Sequence, residues 1–210
     1  TSWATQMARD KWASLQIFSS RNLPIPKTFY WDRTKSPQEV LNHELLQKIP
    51  FRKVVIKALN GSQGRGVFLA TTHAQAKQIL SQWPPNKDCL NQDYLIQEYI
   101  EESKGQDVRA LVVGAQIAGA MVRIAQPGEF RSNIHLGAKG LPTTLSPAEA
   151  RLAIEASLAL GLTVAGIDFL RTRRGPLLLE ANPSPGLEGI VKFTKACIAP
   201  LIVRICEQAI

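Results

Sequence analysis

The chain has 210 residues, 45% hydrophobic and 20% charged, which is enough for a substantial core in one large or two small domains of ordinary globular composition. No apolar stretch approaches the ~20 residues of a membrane span and nothing reads as a secretory signal, so the expectation is a cytoplasmic protein without a membrane partner. A formal net charge of +8 calls for acidic partners (phosphates, an acidic peptide or nucleic acid), while 7% aromatics and the lack of any zinc-finger, KH-like or RNP-like pattern argue against nucleic-acid binding as the main role.

In chain order, ARDKWASLQIFSSRN predicts a helix, with Trp12, Leu15 and Ile17 to Phe18 near helical spacing. Leu23-Pro24-Ile25-Pro26 stops it and starts an extended segment, KTFYW. Ser36-Pro37-Gln38-Glu39 opens a second helix, with a serine cap and proline in its first turn. KVVIKAL and VFLAT read as strands around the glycine loop NGSQGRG, AQAKQILSQW as a helix ended by Pro84-Pro85-Asn86, and YLIQEYI as a strand. DVRALVVG and QIAGAMVRIA form a hairpin around Gly114-Ala115, and SPAEARLAIEASLALG is a capped amphipathic helix. AGIDFLR and PLLLEAN form a further hairpin, and LEGIVKFTKACIAPLIVRICEQAI is helical, bent or broken at Pro200. Hairpins among helices favour an α+β fold with antiparallel sheets over a doubly wound parallel sheet. The polar stretch from Glu101 to Gln106 marks a soft boundary and a candidate hinge, dividing the chain into domains 1–100 and 101–210. Cys89, Cys197 and Cys206 have no metal-finger or CxxC spacing and read as buried or free thiols.

Chemistry concentrates first in the last hairpin. A tight turn centred on Arg174 puts Asp168 opposite Glu180, and Asn182, two residues on, shares that side. Two carboxylates and an amide oxygen on one face suit a hard cation of the kind that accompanies phosphate; a solvated strand face is the alternative.

The loop carrying Gly61, Ser62, Gly64 and Gly66 follows Lys57 and leads into a strand. It is therefore neither a Walker loop nor a Rossmann turn. A strand–loop–strand flap can lay amides over phosphates, with Lys57 as a point charge; a ligand-free hairpin is the alternative. Gln97-Glu98-Tyr99-Ile100 ends a strand and could offer backbone groups to an adenine and a carboxylate to a ribose, or be strand alone. Arg123 and the run Glu129-Phe130-Arg131-Ser132-Asn133 bring arginine forks toward the carboxylate hairpin; a solvated basic loop would look the same. His43 and His73 read as surface residues and His135 as closer to the site, and no nucleophile–base pair stands out.

Together, ARDKWASLQ, VVIKALNGSQGRGV, QEYIEESKGQDVRALVVG, GEFRSNIHLG, AGIDFL and GPLLLEANPSPGLEGI closely resemble the ATP-grasp superfamily, and within it the RimK-like amino-acid ligases, from about residue 8 to residue 192. The resemblance implies two α+β subdomains sandwiching a nucleotide. It implies that Lys11 and Lys57 contact ATP phosphates, Glu98 and Tyr99 line the adenine and ribose pocket, and Asp107 is a further nucleotide contact. Arg131, Ser132 and Asn133 then reach the phosphates and the reacting carboxylate, with Arg131 and Asn133 catalytic, and Asp168, Glu180 and Asn182 hold two Mg²⁺ or Mn²⁺ ions. The implied reaction is ATP-dependent carboxylate–amine ligation through an acylphosphate, adding glutamate to an acidic protein C-terminus such as a ribosomal protein tail. A nucleotide-binding module without its own ligase activity, or a ligase for a small molecule or carrier protein, is the alternative, and a homo-oligomer is left open. Two departures stand out. Family members carry an additional N-terminal domain, and the resemblance implies that this sequence begins where that domain ends, as a fragment, a processed form or a naturally shortened member. Leu136, Ala138 and Ile124 also stand where family members tend to show arginine, glycine and a second arginine.

Overall fold

The computed structural model describes residues 1–32, 36, 39, 53–59, 64–82 and 93–207. Gly61 and Ser62, His43, Cys89, the Pro84-Pro85-Asn86 stop and the body of the helix expected after Ser36 lie outside them. Two compact units make up the chain: residues 26–100, and residues 1–25 with 101–210. The expected division into 1–100 and 101–210 is corrected at its start. The first two helices belong with the second unit, where the Leu178 amide donates to the Pro24 carbonyl at 2.8 Å.

Those helices are α1 (Ser2–Arg9) and α2 (Lys11–Ser20), where the sequence suggested one. Asp10 separates them with extended backbone, its Oδ1 accepting from the amides of Trp12 at 2.8 Å and Ala13 at 3.0 Å. An aspartate that satisfies the orphan amides of a first turn starts a new helix, even inside a helical pattern.

The unit of residues 26–100 contains β1 (Thr28–Trp31), β2 (Val54–Ala58), β3 (Val67–Ala70), α3 (His73–Ser81) and β4 (Tyr94–Glu98). Its strands form one antiparallel sheet in the order β1-β4-β2-β3. Period-two residues Val54, Ile56, Tyr94 and Ile96 pack with Ala76 and Leu80 of α3, burying one sheet face. Ser36 and Glu39 exchange two hydrogen bonds, at 2.7 and 3.2 Å, so the expected serine cap is one half of a capping box.

The other unit holds the five-stranded antiparallel sheet β7-β6-β5-β8-β9. Its elements are β5 (Gln106–Val113), β6 (Gln116–Ile124), β7 (Lys139–Pro142), α4 (Pro147–Ala159), β8 (Val164–Thr172), β9 (Gly175–Asn182), α5 (Leu187–Thr194) and α6 (Ala199–Glu207). Ser146 and Glu149 form the capping box of α4. The β5–β6 turn favours Gly114 because the backbone there is left-handed, at φ 62.

The last helix is broken, but not at Pro200. Lys195 ends α5 in the left-handed region at φ 58, and Pro200 is the second residue of α6, where its missing N–H is harmless. Strand β7 was not foreseen: KGLP carries no alternation, and Gly140 is there because Phe193 lies against its backbone, with a Cβ 2.5 Å from the ring. On one face of the sheet, Leu111, Val113 and Met121 pack with Ile190 of α5 and with Ile198. The opposite face, with Val108, Ala110, Ile167 and Phe169 at most 1% exposed, is buried as well, and α1, α2 and α4 pack against this sheet.

Candidate functional site

The same face that holds Leu111 and Met121 carries charge at its other end. Asp168 pairs across strands with Glu180 on one side and Arg109 on the other, and Arg123 pairs with Asp107. Asn182 sits opposite Gly166, two residues from Asp168 and on its side. The predicted meeting of Asp168, Glu180 and Asn182 on one face is therefore present, by a different route. The turn is the two residues Arg173 and Arg174, with Thr172 paired to Gly175. Such a register alone would set Asp168 against Leu179. A bulge beyond Phe169↔Leu178 leaves Leu179 unpaired and brings Glu180 round to Asp168. It lets Leu178, fully buried, face the core while Glu180 faces the charges.

Asp168 is 2% exposed and held by one arginine fork and a single bond from a second arginine. Arg109 donates from Nε at 2.7 Å and Nη2 at 2.6 Å, and Arg123 from Nη2 at 2.7 Å. Arg123 also forks onto Asp107 at 2.6 and 2.5 Å. Burial alone would raise the Asp168 carboxyl, but Arg109 and then Arg123 outweigh it and hold it down at about 2. Burial lifts Asp107, against its pair with Arg123 and a hydrogen bond with Ser132. Both guanidiniums are stabilised in the charged form, the carboxylates outweighing burial. Burial lowers Lys11, against the fields of Glu180 and Asp10.

Arg109 went unnoticed in the sequence, although DVR places it two residues from Asp107 on one strand face, which was the available signal. Gly166 is the other omission. A Cβ there would lie 3.0 Å from Pro185 Cβ, so the glycine makes room for Pro185, with Arg109 Nε at ordinary contact distance, 3.7 Å. Arg123 is a strand residue and the hub of the network rather than part of a basic loop.

Of the FRSN run, Ser132 is buried and reaches Asp107. Arg131 donates to Glu129 from Nε at 3.1 Å and Nη2 at 2.7 Å, and this hydrogen bonding, against some burial, holds the Glu129 carboxyl at about 2. Asn133 precedes a 3-10 turn, Ile134–Leu136, and its side chain makes no hydrogen bond to a described residue. His135, in that turn, is exposed.

In the other unit, Lys57 Nζ donates to Gln97 Oε1 at 2.6 Å, and Gln97 Nε2 donates to Thr28 Oγ1 at 2.8 Å. Glu98 accepts from the Lys27 amide at 2.9 Å, and the Lys53 ammonium lies 6.0 Å from the Tyr99 ring centroid. Gly64 and Gly66 both have positive φ, at 78 and 68, which suits a loop that turns its amides outward. Each set of residues is placed within its own unit.

The donors on the charged face suit a hard cation. Asp168 Oδ1 accepts a single hydrogen bond, Glu180 makes no hydrogen bond or ion pair with a described residue, and Asn182 Oδ1 accepts only from the Ser184 amide at 2.9 Å. Each keeps a lone pair. The described residues contain no cluster of three or more His, Cys, Asp or Glu able to hold a metal. They also contain no helix long and apolar enough to cross a membrane. Cys197 and Cys206 are free and exposed.

The RimK-like ATP-grasp domain family matches residues 8–206. A Legionella pneumophila protein named "Probable alpha-L-glutamate ligase" is 40% identical over 206 residues, 98% of this chain and 65% of that protein. The chain thus spans less than two thirds of that relative's length. Among solved structures, the ATP-grasp ligase PsnB complexed with a phosphomimetic variant of minimal precursor, Mg and ADP superposes with a TM-score of 0.70, at 17% identity over 99% of this chain and 61% of that one. The D-alanine–D-alanine ligase of Bacillus anthracis complexed with ATP gives 0.74, at 17% identity over 98% and 67%. These two likenesses are of fold. The chain belongs to the RimK-like ATP-grasp family, and its two antiparallel sheets are an ATP-grasp fold.

Proposed function

We propose that this member of the RimK-like ATP-grasp family forms the nucleotide- and metal-binding part of an ATP-dependent carboxylate–amine ligase that adds glutamate to an acidic protein C-terminus, such as a ribosomal protein tail. The observation that carries the reading is the polar sheet face on which Asp168, Glu180 and Asn182 meet beside Asp107 and Ser132. The 40% identical relative supports the amino acid, and the net charge of +8 suits an acidic acceptor.

The substrate carboxylate attacks the γ-phosphorus of ATP, ADP leaves, and the acylphosphate is attacked by an amine, with phosphate leaving and an amide formed. Asp168, Glu180 and Asn182 would hold Mg²⁺ or Mn²⁺, two ions by family resemblance, which neutralises phosphate charge when bound. Lys57 and Lys11 balance phosphate oxygens, and the amides of Gly64 and Gly66 cover them. Glu98 and Tyr99 flank the nucleoside. Arg131, released from Glu129, and Asn133 orient the acyl group, a contact worth about 2.7–4 kcal/mol where an oxyanion donor has been removed in other enzymes. No side-chain nucleophile is required, because positioning and charge neutralisation supply the catalysis.

ATP-dependent incorporation of labelled glutamate, read by mass spectrometry against acidic peptides and ribosomal proteins, tests this. Glutamate-sized mass steps support it. The chain's span of 65% of its relative favours one second reading, a nucleotide-binding module that ligates only with the remainder of such a protein. Binding of a Mg·ATP analogue without any amide product would select that reading.

A further inference from the structure

The charged face holds the donors for a cation together with the groups that compete for them. Arg109 spends its fork entirely on Asp168, at 2.7 and 2.6 Å, whereas Arg123 is divided between Asp107 and Asp168. The Arg109 side chain is also the more accessible, 16% exposed against 3% for Arg123. It lies near the Cβ-free backbone of Gly166, one register step from Asp168. The buried carboxylates Asp107 and Asp168 are matched one for one by the guanidiniums of Arg109 and Arg123. A bare divalent ion approaching Asp168 meets a carboxylate already neutralised and a guanidinium already in contact. Phosphate oxygens would change both conditions, adding negative charge and offering the fork another acceptor.

We propose that Arg109 is a positioning residue that neutralises Asp168 in the nucleotide-free protein, so that a divalent ion enters only in company with phosphate. The inference rests on the metal reading of Asp168, Glu180 and Asn182. Arg109 acts through Asp168, and its positive charge, rather than its shape, sets the order of binding.

The test is a Mn²⁺ titration of the whole chain without nucleotide, followed by the electron paramagnetic resonance signal of the free ion, with a thermal melt of each variant as a check of folding. The parent is expected to take up Mn²⁺ weakly alone and tightly once a non-hydrolysable ATP analogue is added. Arg109→Gln is expected to bind the bare ion at least about tenfold tighter than the parent, and Arg109→Lys, which keeps the charge, to behave as the parent. Tight uptake of bare Mn²⁺ by the parent overturns the proposal, and needs no variant to fold. So does an Arg109→Lys protein that matches Arg109→Gln, because geometry rather than charge would then be responsible.

Glu180→Gln, at a side chain with no hydrogen bond to a described residue, separates the two layers. If the Mn²⁺ gained by Arg109→Gln persists when Glu180→Gln is added, the ion sits elsewhere and the metal reading fails. If Glu180→Gln removes the analogue-dependent uptake while Arg109→Gln gains nothing, the metal reading stands and the role of Arg109 falls.

Discussion

One face of the five-stranded sheet has two halves built on the same strands. Toward one end, Leu111, Val113 and Met121 are sealed by Ile190 and Ile198. Toward the other, Asp107, Arg109, Arg123 and Asp168 are sealed by one another. Both are nearly dry: Met121 is 3% exposed and Arg123 also 3%. The apolar half gains from each buried area independently, so it tolerates loss by degrees. The charged half is an all-or-nothing arrangement, since removing any member leaves a buried charge unmatched. That difference separates a half that contributes stability from a half whose charges stand or fall together. Burial of ions stabilises little in net terms, so charges at this depth point to a use other than holding the sheet together.

The comparison breaks first at its hub. Arg123→Met leaves Asp107 and Asp168 short of a partner and should cost about 3–5 kcal/mol in urea denaturation. Ile190→Ala, in the apolar half, should cost about 3 kcal/mol from lost transfer energy and a cavity. An Arg123→Met protein as stable as its parent would show that the charged half is not a closed network.

Glu180→Gln should shift stability by no more than about 0.5 kcal/mol, because the side chain has no hydrogen bond among described residues, yet it should abolish Mg²⁺-dependent ATP turnover. Parent-like turnover in that variant would remove Glu180 from the metal set.

The smallest effect is one of pH. Arg131 holds the Glu129 carboxyl at about 2, below its ordinary 4.5. The pair therefore stabilises the fold fully above about pH 4.5 and loses that contribution as the pH falls through about 2. The pair is partly exposed, so the contribution is about 1 kcal/mol or less. Glu129→Gln should flatten the acid limb of stability against pH, and identical limbs in parent and variant would show that the pair contributes nothing.

Much of this was legible in the residues. Period-two runs located β2, β4, β5, β6, β8 and β9, and the Ser146 box located the start of α4. Misreadings came where a local signal was weaker than a distant contact or was overruled by a cap. Asp10 ended a helix that periodicity continued. Strand β7, with glycine and proline in four residues, exists because β6 offers it an edge and Phe193 packs on Gly140. The site was legible to the same degree. Asp168 and Glu180 could be put on neighbouring strands from a hairpin, though their register needed a bulge, whereas Arg109 could not be given its partner, because β5 and β8 are separated by two strands and a helix in the chain.

By itself the sequence determined the α+β class, the antiparallel hairpins, the family and the side shared by Glu180 and Asn182, because each follows from alternation or a contiguous motif. Tertiary structure alone decided that α1 and α2 join residues 101–210, that Leu179 bulges out of register, and that Asp168 is shared by Arg109 and Arg123. The physical reason is that these depend on which strand lies beside which. A side chain's periodicity records its face, while its partner is set only when the sheet closes.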